Sequence, residues 1–338
     1  MAGKGIALVS GGAGFIGSHL VEHLLAAGER VRVLDSFVNG KEENLAALPH
    51  QDRIEVRRGD VTSLVDVTSA MRNVSKVFHL AALGVRHSLH NPEENERANA
   101  YGAFLMLKCA YEAGVERYVH CSTSEIYGTA RTAPMTEDHP ALPHTIYGAS
   151  KLAGEAYARA YHDSFGMPTV IVRPFNAYGP RCHHEGDSGE VIPIFVLRAL
   201  ARQPLVIYGD GTQTRDFTYV ADTARALALA GCCEAAVGET LNAGSNREIT
   251  MNELARVVAE VVGWDDVEVV HVVPRPGDTL RLCADTTKAE RVLGFRAEVP
   301  LREGIARLVA WYRQQPASLE RLLGQARLRN WENRPEHQ

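Results

Sequence analysis

A chain of 338 residues, 45% hydrophobic and 23% charged, has ordinary globular composition and is long enough for one large domain or a main domain with a smaller lobe. Its formal charge of -5 gives no general attraction for nucleic acid or an anionic membrane, so positive charge can matter only locally. The cysteines Cys109, Cys121, Cys182, Cys232, Cys233 and Cys283 form no C-x-x-C pair, and no signal-peptide core precedes the first strand-like run, which points to reduced thiols in a cytoplasm.

The first half alternates short β-branched runs with longer helical patterns, the signature of βαβ units and a doubly wound parallel α/β sheet. Strands are expected at 5–10, 31–34, 54–57, 76–82, 117–121 and 169–173, with helices near 15–27, 64–72, 93–113 and 147–165. After Pro174 the rhythm breaks, and Gly, Pro and polar residues crowd the stretch 179–193. The expected division is a Rossmann-type domain over 1–178, completed by a later segment near 205–250, and a mainly substrate-binding lobe over 179–338. That lobe should hold helices at 192–201, 220–230, 251–262 and 301–311, followed beyond Gln315 by a solvated helix and a loose end.

Gly11, Gly14 and Gly17 follow the first strand and open the first helix in the run S-G-G-A-G-F-I-G. Glycines there allow a tight turn and close approach of backbone to a pyrophosphate, while the helix start offers free N–H groups and a positive dipole end. The spacing is G-x-x-G-x-x-G, one residue longer in its first step than the commonest dinucleotide fingerprint, and alone it is also compatible with an unliganded turn. Asp35 closes the second strand, where an acid can take both ribose hydroxyls and repel a 2′-phosphate, favouring NAD over NADP. Asp60, after the third strand, is a candidate for the adenine edge and equally for a plain strand-end turn.

Tyr147 and Lys151 stand at i and i+4 on a predicted helix and therefore share one face. A nearby ammonium favours the phenolate, which can accept a hydroxyl proton while hydride leaves for NAD. Bringing a phenol from about 10 to about 7 needs roughly 4 kcal/mol, which a lysine and a nicotinamide cation in a dry site can supply. The spacing Y-x-x-x-K is common by accident, but Thr123, Ser124 and Glu125 lie at the end of the fifth strand, on the ligand side of such a sheet.

With these motifs, with H-L-A-A at 79–82, Y-G-A-S-K at 147–151, R-P-F-N-A-Y-G-P at 173–180 and G-D-G-T-Q-T-R-D-F-T-Y-V-A-D at 209–222, the chain resembles an extended short-chain dehydrogenase/reductase of the nucleotide-sugar epimerase, dehydratase and decarboxylase group. The resemblance implies a transient 4-keto sugar, with Thr123 on the carbon 4 hydroxyl beside Tyr147 and Lys151 also on the nicotinamide ribose. It implies that Phe15, Ile16, Ser36, Val61, Leu80, Ala81, Ala82 and Asn99 line the path of NAD. It implies further that Asn176, Arg181, Arg215, Arg275 and Asp278 grip a nucleoside-diphosphate sugar, UDP-linked on the leading reading, and that two copies pair through the helices at 93–113 and 147–165, whose apolar residues are equally compatible with internal core. A non-catalytic NAD-binding regulator would have no need of the whole set.

Position 125 discriminates among the reactions. Simple 4-epimerases resemble S-S-A or S-S-S at this triplet, whereas a glutamate beside carbon 5 suggests chemistry there. Common dehydratases carry Thr-Asp-Glu, the Asp protonating the departing hydroxyl; Ser124 replaces it here and is a poor acid. Thr-Ser-Glu resembles both UDP-glucuronate decarboxylases and GDP-mannose dehydratases. Decarboxylation of a UDP-hexuronate leads on sequence, since a 4-keto uronate loses carbon dioxide without an acid at carbon 6. Arg86, in a G-V-R-H-S-L-H-N-P loop that resembles hexuronate 4-epimerases, is a candidate partner for the sugar carboxylate, although well-known decarboxylases lack an arginine there. The insert 181–190 is expected to cap the sugar, and its adjacent His183 and His184, with no third ligand evident, to hold no metal.

Overall fold

In the first strand Ala7 and Val9 face one side while Ile6 and Leu8 face the other, all buried, the pattern of a strand covered on both faces. The computed structural model describes residues 5–186, 188–274 and 279–327. Its main sheet has seven parallel strands, β1 (Ile6–Ser10), β2 (Arg30–Asp35), β3 (Ile54–Arg58), β4 (Val74–His79), β5 (Arg117–Cys121), β6 (Thr169–Pro174) and β7 (Thr240–Ala243). Their order is β7-β6-β5-β4-β1-β2-β3, reversing direction between β1 and β4, where doubly wound sheets open their ligand crevice.

The helix α1 (Phe15–Ala26) buries Leu20, Val21, Leu24 and Leu25 against one face of this sheet. The opposite face is covered by α2 (Leu64–Ala70), α3 (Gly102–Glu112) and α4 (Ile146–Phe165), through Val67, Ala70, Leu105, Met106 and Ala158. Thr145 caps α4 by accepting the Gly148 N–H at 3.0 Å, and Gly166, left-handed at φ 66°, ends it.

The smaller lobe is a second core built on α5 (Val191–Leu200), α7 (Met251–Val262) and α8 (Leu301–Arg313), with a two-stranded parallel pair of Leu205–Tyr208 and Val269–Val272. Between them in sequence, α6 (Val220–Ala230) lies elsewhere. It packs on α1 against the main sheet and serves the first core, within the segment near 205–250 expected to complete the Rossmann-type domain, although the helical rhythm alone grouped it with the lobe. The residues past Gln315 are not merely solvated: α9 (Leu319–Gln325) buries Leu322 in the lobe core beside α5.

Two other expectations shift for local reasons. The strand expected at 76–82 leaves the sheet after His79, because Leu80 to Ala82 turn under the glycine loop: a Cβ on Gly11 would stand 2.7 Å from the Ala81 nitrogen. The single helix expected at 93–113 is interrupted by a π-helical turn at Arg97–Tyr101. The wide turn accompanies an inward set of amides, Asn95 and Asn99 both donating to the Leu83 carbonyl at 2.9 Å. Among the described residues no helix is long and apolar enough to cross a membrane.

Candidate functional site

The site is a single deep cavity of about 1340 Å³ at the carboxyl ends of the main strands, continuing into the smaller lobe. That volume exceeds the roughly 300–1,000 Å³ of a usual small-molecule pocket and leaves room for two ligands in line.

One end is the glycine turn. Gly11 is left-handed at φ 72°, and a Cβ on Gly17 would lie 2.0 Å from the Gly11 carbonyl oxygen, so the turn closes only with glycine at both places. Asp35 sits beside it, buried, its two oxygens accepting the N–H groups of Ala13 at 2.9 Å and Phe37 at 2.8 Å. Burial raises its carboxyl above the usual range, with those backbone bonds working the other way. Gly14, Phe15, Ile16, Ser36, Asp60, Val61, Leu80, Ala81 and Ala82 line the same stretch of cavity. Asp60 is exposed and accepts the Thr62 N–H at 2.8 Å, a strand-end turn that still faces the cavity. The cradle fits a dinucleotide: open backbone N–H groups at a helix start for the pyrophosphate, and a carboxylate one strand over for the ribose.

Asn99 takes a different place. It lies behind the wall, fully buried, bonded to both the N–H and carbonyl of Leu83 and to Ser150 at 3.2 Å. It therefore shapes the Leu83 turn and does not line the cavity.

At the centre Tyr147, Lys151, Thr123, Ser124 and Glu125 converge. Lys151 is buried and donates to the Cys121 carbonyl at 2.6 Å, which ties α4 to the end of β5; burial draws its ammonium below 10.5. The phenol of Tyr147 is pushed up by burial and held down by a hydrogen bond with Thr123, while Glu125 and Glu190 add to the rise. The protein alone thus holds the phenol protonated. Behind the pair, His79 is buried, on Ser10 at 2.7 Å, and burial with the Lys151 charge lowers it to about 3, so it stays neutral.

The other end holds Arg86, Asn176 and Arg215, all on the cavity wall. Arg275 and Asp278 lie outside the described residues. Arg181 is not a wall residue. It turns away from the cavity onto α1, bonding the ring nitrogens of His19, the Asn44 carbonyl at 3.3 Å and the carboxylate of Glu22. Adjacent in the same loop, His183 and His184 reach opposite oxygens of Glu185, at 3.4 and 3.2 Å, and Lys41 meets Glu185 at 2.6 Å. Burial would raise Glu185, but the bonds from His183 and Lys41 outweigh it and hold the carboxyl far below its usual range. No cluster of three metal-ligating side chains occurs among the described residues.

Sequence reasoning gave Glu190 no role. It ends the loop and precedes α5, an exposed residue on the cavity wall that makes no side-chain cap bond to the helix. Desolvation by the cavity walls raises its carboxyl to about 7, against the charges of His183 and Arg86 and with that of Glu185. The only signal in the sequence was its place at the end of a polar insert, which does not distinguish it from Glu185.

The family model described as GDP-mannose 4,6 dehydratase matches residues 8–308. A UDP-glucose 4-epimerase of Mycolicibacterium smegmatis is 37% identical over 91% of this chain and 98% of its own length. A UDP-glucuronic acid decarboxylase of Arabidopsis thaliana is 36% identical over 91% of this chain and 70% of its own length. A dTDP-glucose 4,6-dehydratase from Streptomyces venezuelae, solved with NAD bound, superposes with a TM-score of 0.85 at 36% identity, covering 91% of this chain and 97% of that one.

Proposed function

For a chain that belongs to the GDP-mannose 4,6-dehydratase family of NAD-dependent nucleotide-sugar enzymes, we propose 4,6-dehydration of a nucleoside-diphosphate hexose through a 4-keto intermediate. The observation that carries this is Glu125 in the same cavity as Tyr147, close enough to act on its ionisation. Gly11, Gly14, Gly17 and Asp35 would hold NAD, with Lys151 on the nicotinamide ribose, and NAD held there would supply the hydride acceptor and donor for the sugar. Thr123 and Tyr147 orient the carbon 4 hydroxyl, and the phenolate oxygen of Tyr147 receives its proton. A ketone at carbon 4 acidifies the hydrogen on carbon 5, which the Glu125 carboxylate removes. Arg215 and Asn176 face the diphosphate end, where a guanidinium and an amide suit phosphate oxygens.

Decarboxylation of UDP-glucuronate, the reading favoured by the Thr-Ser-Glu triplet alone, has Arg86 on the cavity wall in its support. Pairing of two copies through α3 and α4 is proposed from the aromatic face they expose, Phe104 against Tyr157 and Tyr111 against Phe165.

The test is mass spectrometry of the protein with NAD and, separately, UDP-glucose, dTDP-glucose, GDP-mannose and UDP-glucuronate. Loss of the mass of water from a hexose is the expected result. Loss of carbon dioxide from UDP-glucuronate with no water lost from any hexose would replace dehydration by decarboxylation, and an unchanged mass with altered chromatography would replace it by epimerisation.

A further inference from the structure

Dehydration needs two proton transfers, and the triplet supplies one. Glu125 can take the proton of carbon 5, but the hydroxyl of carbon 6 must leave as water and Ser124, at the place of the usual acid, cannot protonate it near neutral pH. A second carboxyl reaches the same chamber from a different element. Glu190 comes from the loop before α5, faces the cavity, and is near enough to Tyr147 to act on its ionisation, as Glu125 is from the end of β5. Its carboxyl is not spent on capping α5, where no side-chain cap bond forms.

We propose that Glu190 is the acid of the elimination, delivering its proton to the oxygen on carbon 6. This rests on the dehydration reading. On a 4-keto hexose the electrons of the carbon 5–hydrogen bond form the carbon 5–carbon 6 double bond as Glu125 takes the proton. The carbon 6–oxygen bond breaks, its electrons staying on oxygen, and the proton of Glu190 completes a water molecule. The step is redox-neutral and needs no co-reactant.

The surroundings suit an acid that works near neutrality. Arg86 and His183 favour its ionised form and Glu185 opposes it, while desolvation by the surrounding cavity walls raises the carboxyl of this exposed residue to about 7. Tyr147, Cys182 and Tyr312 complete the ring of titratable neighbours, each raised in turn by the Glu190 charge. A catalytic acid is most effective with a pKa near the working pH, where it is both protonated and willing to donate.

The experiment compares wild type, Glu190→Gln and Glu190→Asp in deuterium oxide with NAD and the three nucleotide hexoses named above. Wild type is expected to lose water with kcat/KM falling as pH rises through about 7, since Glu190 then loses the proton it must give. E190Q should lose water at least ~100-fold more slowly, the lower end for one general acid, and should lack that falling limb. It should still place deuterium on carbon 5 of recovered sugar, because Tyr147 and Glu125 continue to form and enolise the ketone. E190D should recover part of the rate together with the limb. Water loss by E190Q within threefold of wild type, or loss of exchange and elimination alike in both variants, overturns the role of Glu190 and leaves dehydration standing. A wild type that loses carbon dioxide from UDP-glucuronate and water from no hexose overturns both.

Discussion

The glycine turn and the loop at 181–190 wall one cavity from opposite sides, and they are held by opposite means. The turn is fixed by backbone sterics: Gly11 against Ala81, Gly17 against Gly11, and Asp35 bonded to two backbone N–H groups. The loop is fixed by charges at its edges, Arg181 on Glu22 and His19 at one end and Glu185 on Lys41 in the middle. The two meet through one short segment, since the Lys41 N–H and the Asn44 side chain both donate to the Ala13 carbonyl, at 3.0 and 2.9 Å. A scaffold built on hard contacts holds one ligand shape, while a loop held by a few ion pairs can change its contents and with them the chemistry.

If that contrast is right, the largest effect should come from one methyl group on the steric side. Gly17→Ala puts a Cβ 2.0 Å from a carbonyl oxygen that belongs to backbone and cannot step aside. The turn must open, and NAD affinity measured by calorimetry should fall at least 100-fold, about 2.7 kcal/mol. Binding within threefold of wild type would show that the turn yields, and the contrast with the loop would vanish.

Between the two regions runs a buried network that keeps the catalytic helix in register. Glu155, one turn beyond Lys151 on α4, accepts from Arg173 at 2.9 and 2.7 Å and from Ser122 at 2.5 Å, and Arg173 also donates to the Tyr127 hydroxyl at 2.8 Å. Both charges are buried. Arg173→Met leaves the buried Glu155 carboxylate only the half-exposed Arg159, at 3.1 Å, and Ser122, and should cost up to about 3–5 kcal/mol in denaturant unfolding, because most of the compensation for its desolvation is lost. Protonation of Glu155 should imitate the lesion. Its folded pKa lies below the unfolded value, so its contribution is present above the unfolded value of 4.5 and fades as pH falls through the folded one. A destabilisation under 1 kcal/mol would mean that the pair fixes geometry without adding stability.

What the sequence made legible follows the same division. Patterns repeated by backbone geometry were readable: the alternation in β1, the glycine turn, Asp35 at a strand end, and the i, i+4 pair on α4 all follow from period and φ alone. Contacts that depend on where a distant loop folds back were not. Arg181, expected at the substrate, is taken by His19 and Glu22 some 160 residues earlier, a pairing with no local signal. Asn99, expected at the cofactor, turns inward because the helix widens by a π turn that a 3.6-residue period cannot foretell. Glu190 stood five residues from Glu185 in a polar insert, and only the fold separates the carboxylate that latches the loop from the one that enters the cavity.

The smallest effect tests that latch. Lys41 and Glu185 are both partly exposed, at 47% and 28% of the side chain, so the pair is worth at most about 1 kcal/mol in water and less in salt. Lys41→Ala should leave the unfolding midpoint nearly unchanged, yet it removes a charge that joins the glycine-turn side to the middle of the loop. KM for the nucleotide sugar should rise a few-fold while kcat stays within twofold, with the difference shrinking as salt is added, because the wild-type pair is itself screened. A rise in KM that persists unchanged in 1 M salt would mean that Lys41 acts on the ligand directly and not through Glu185.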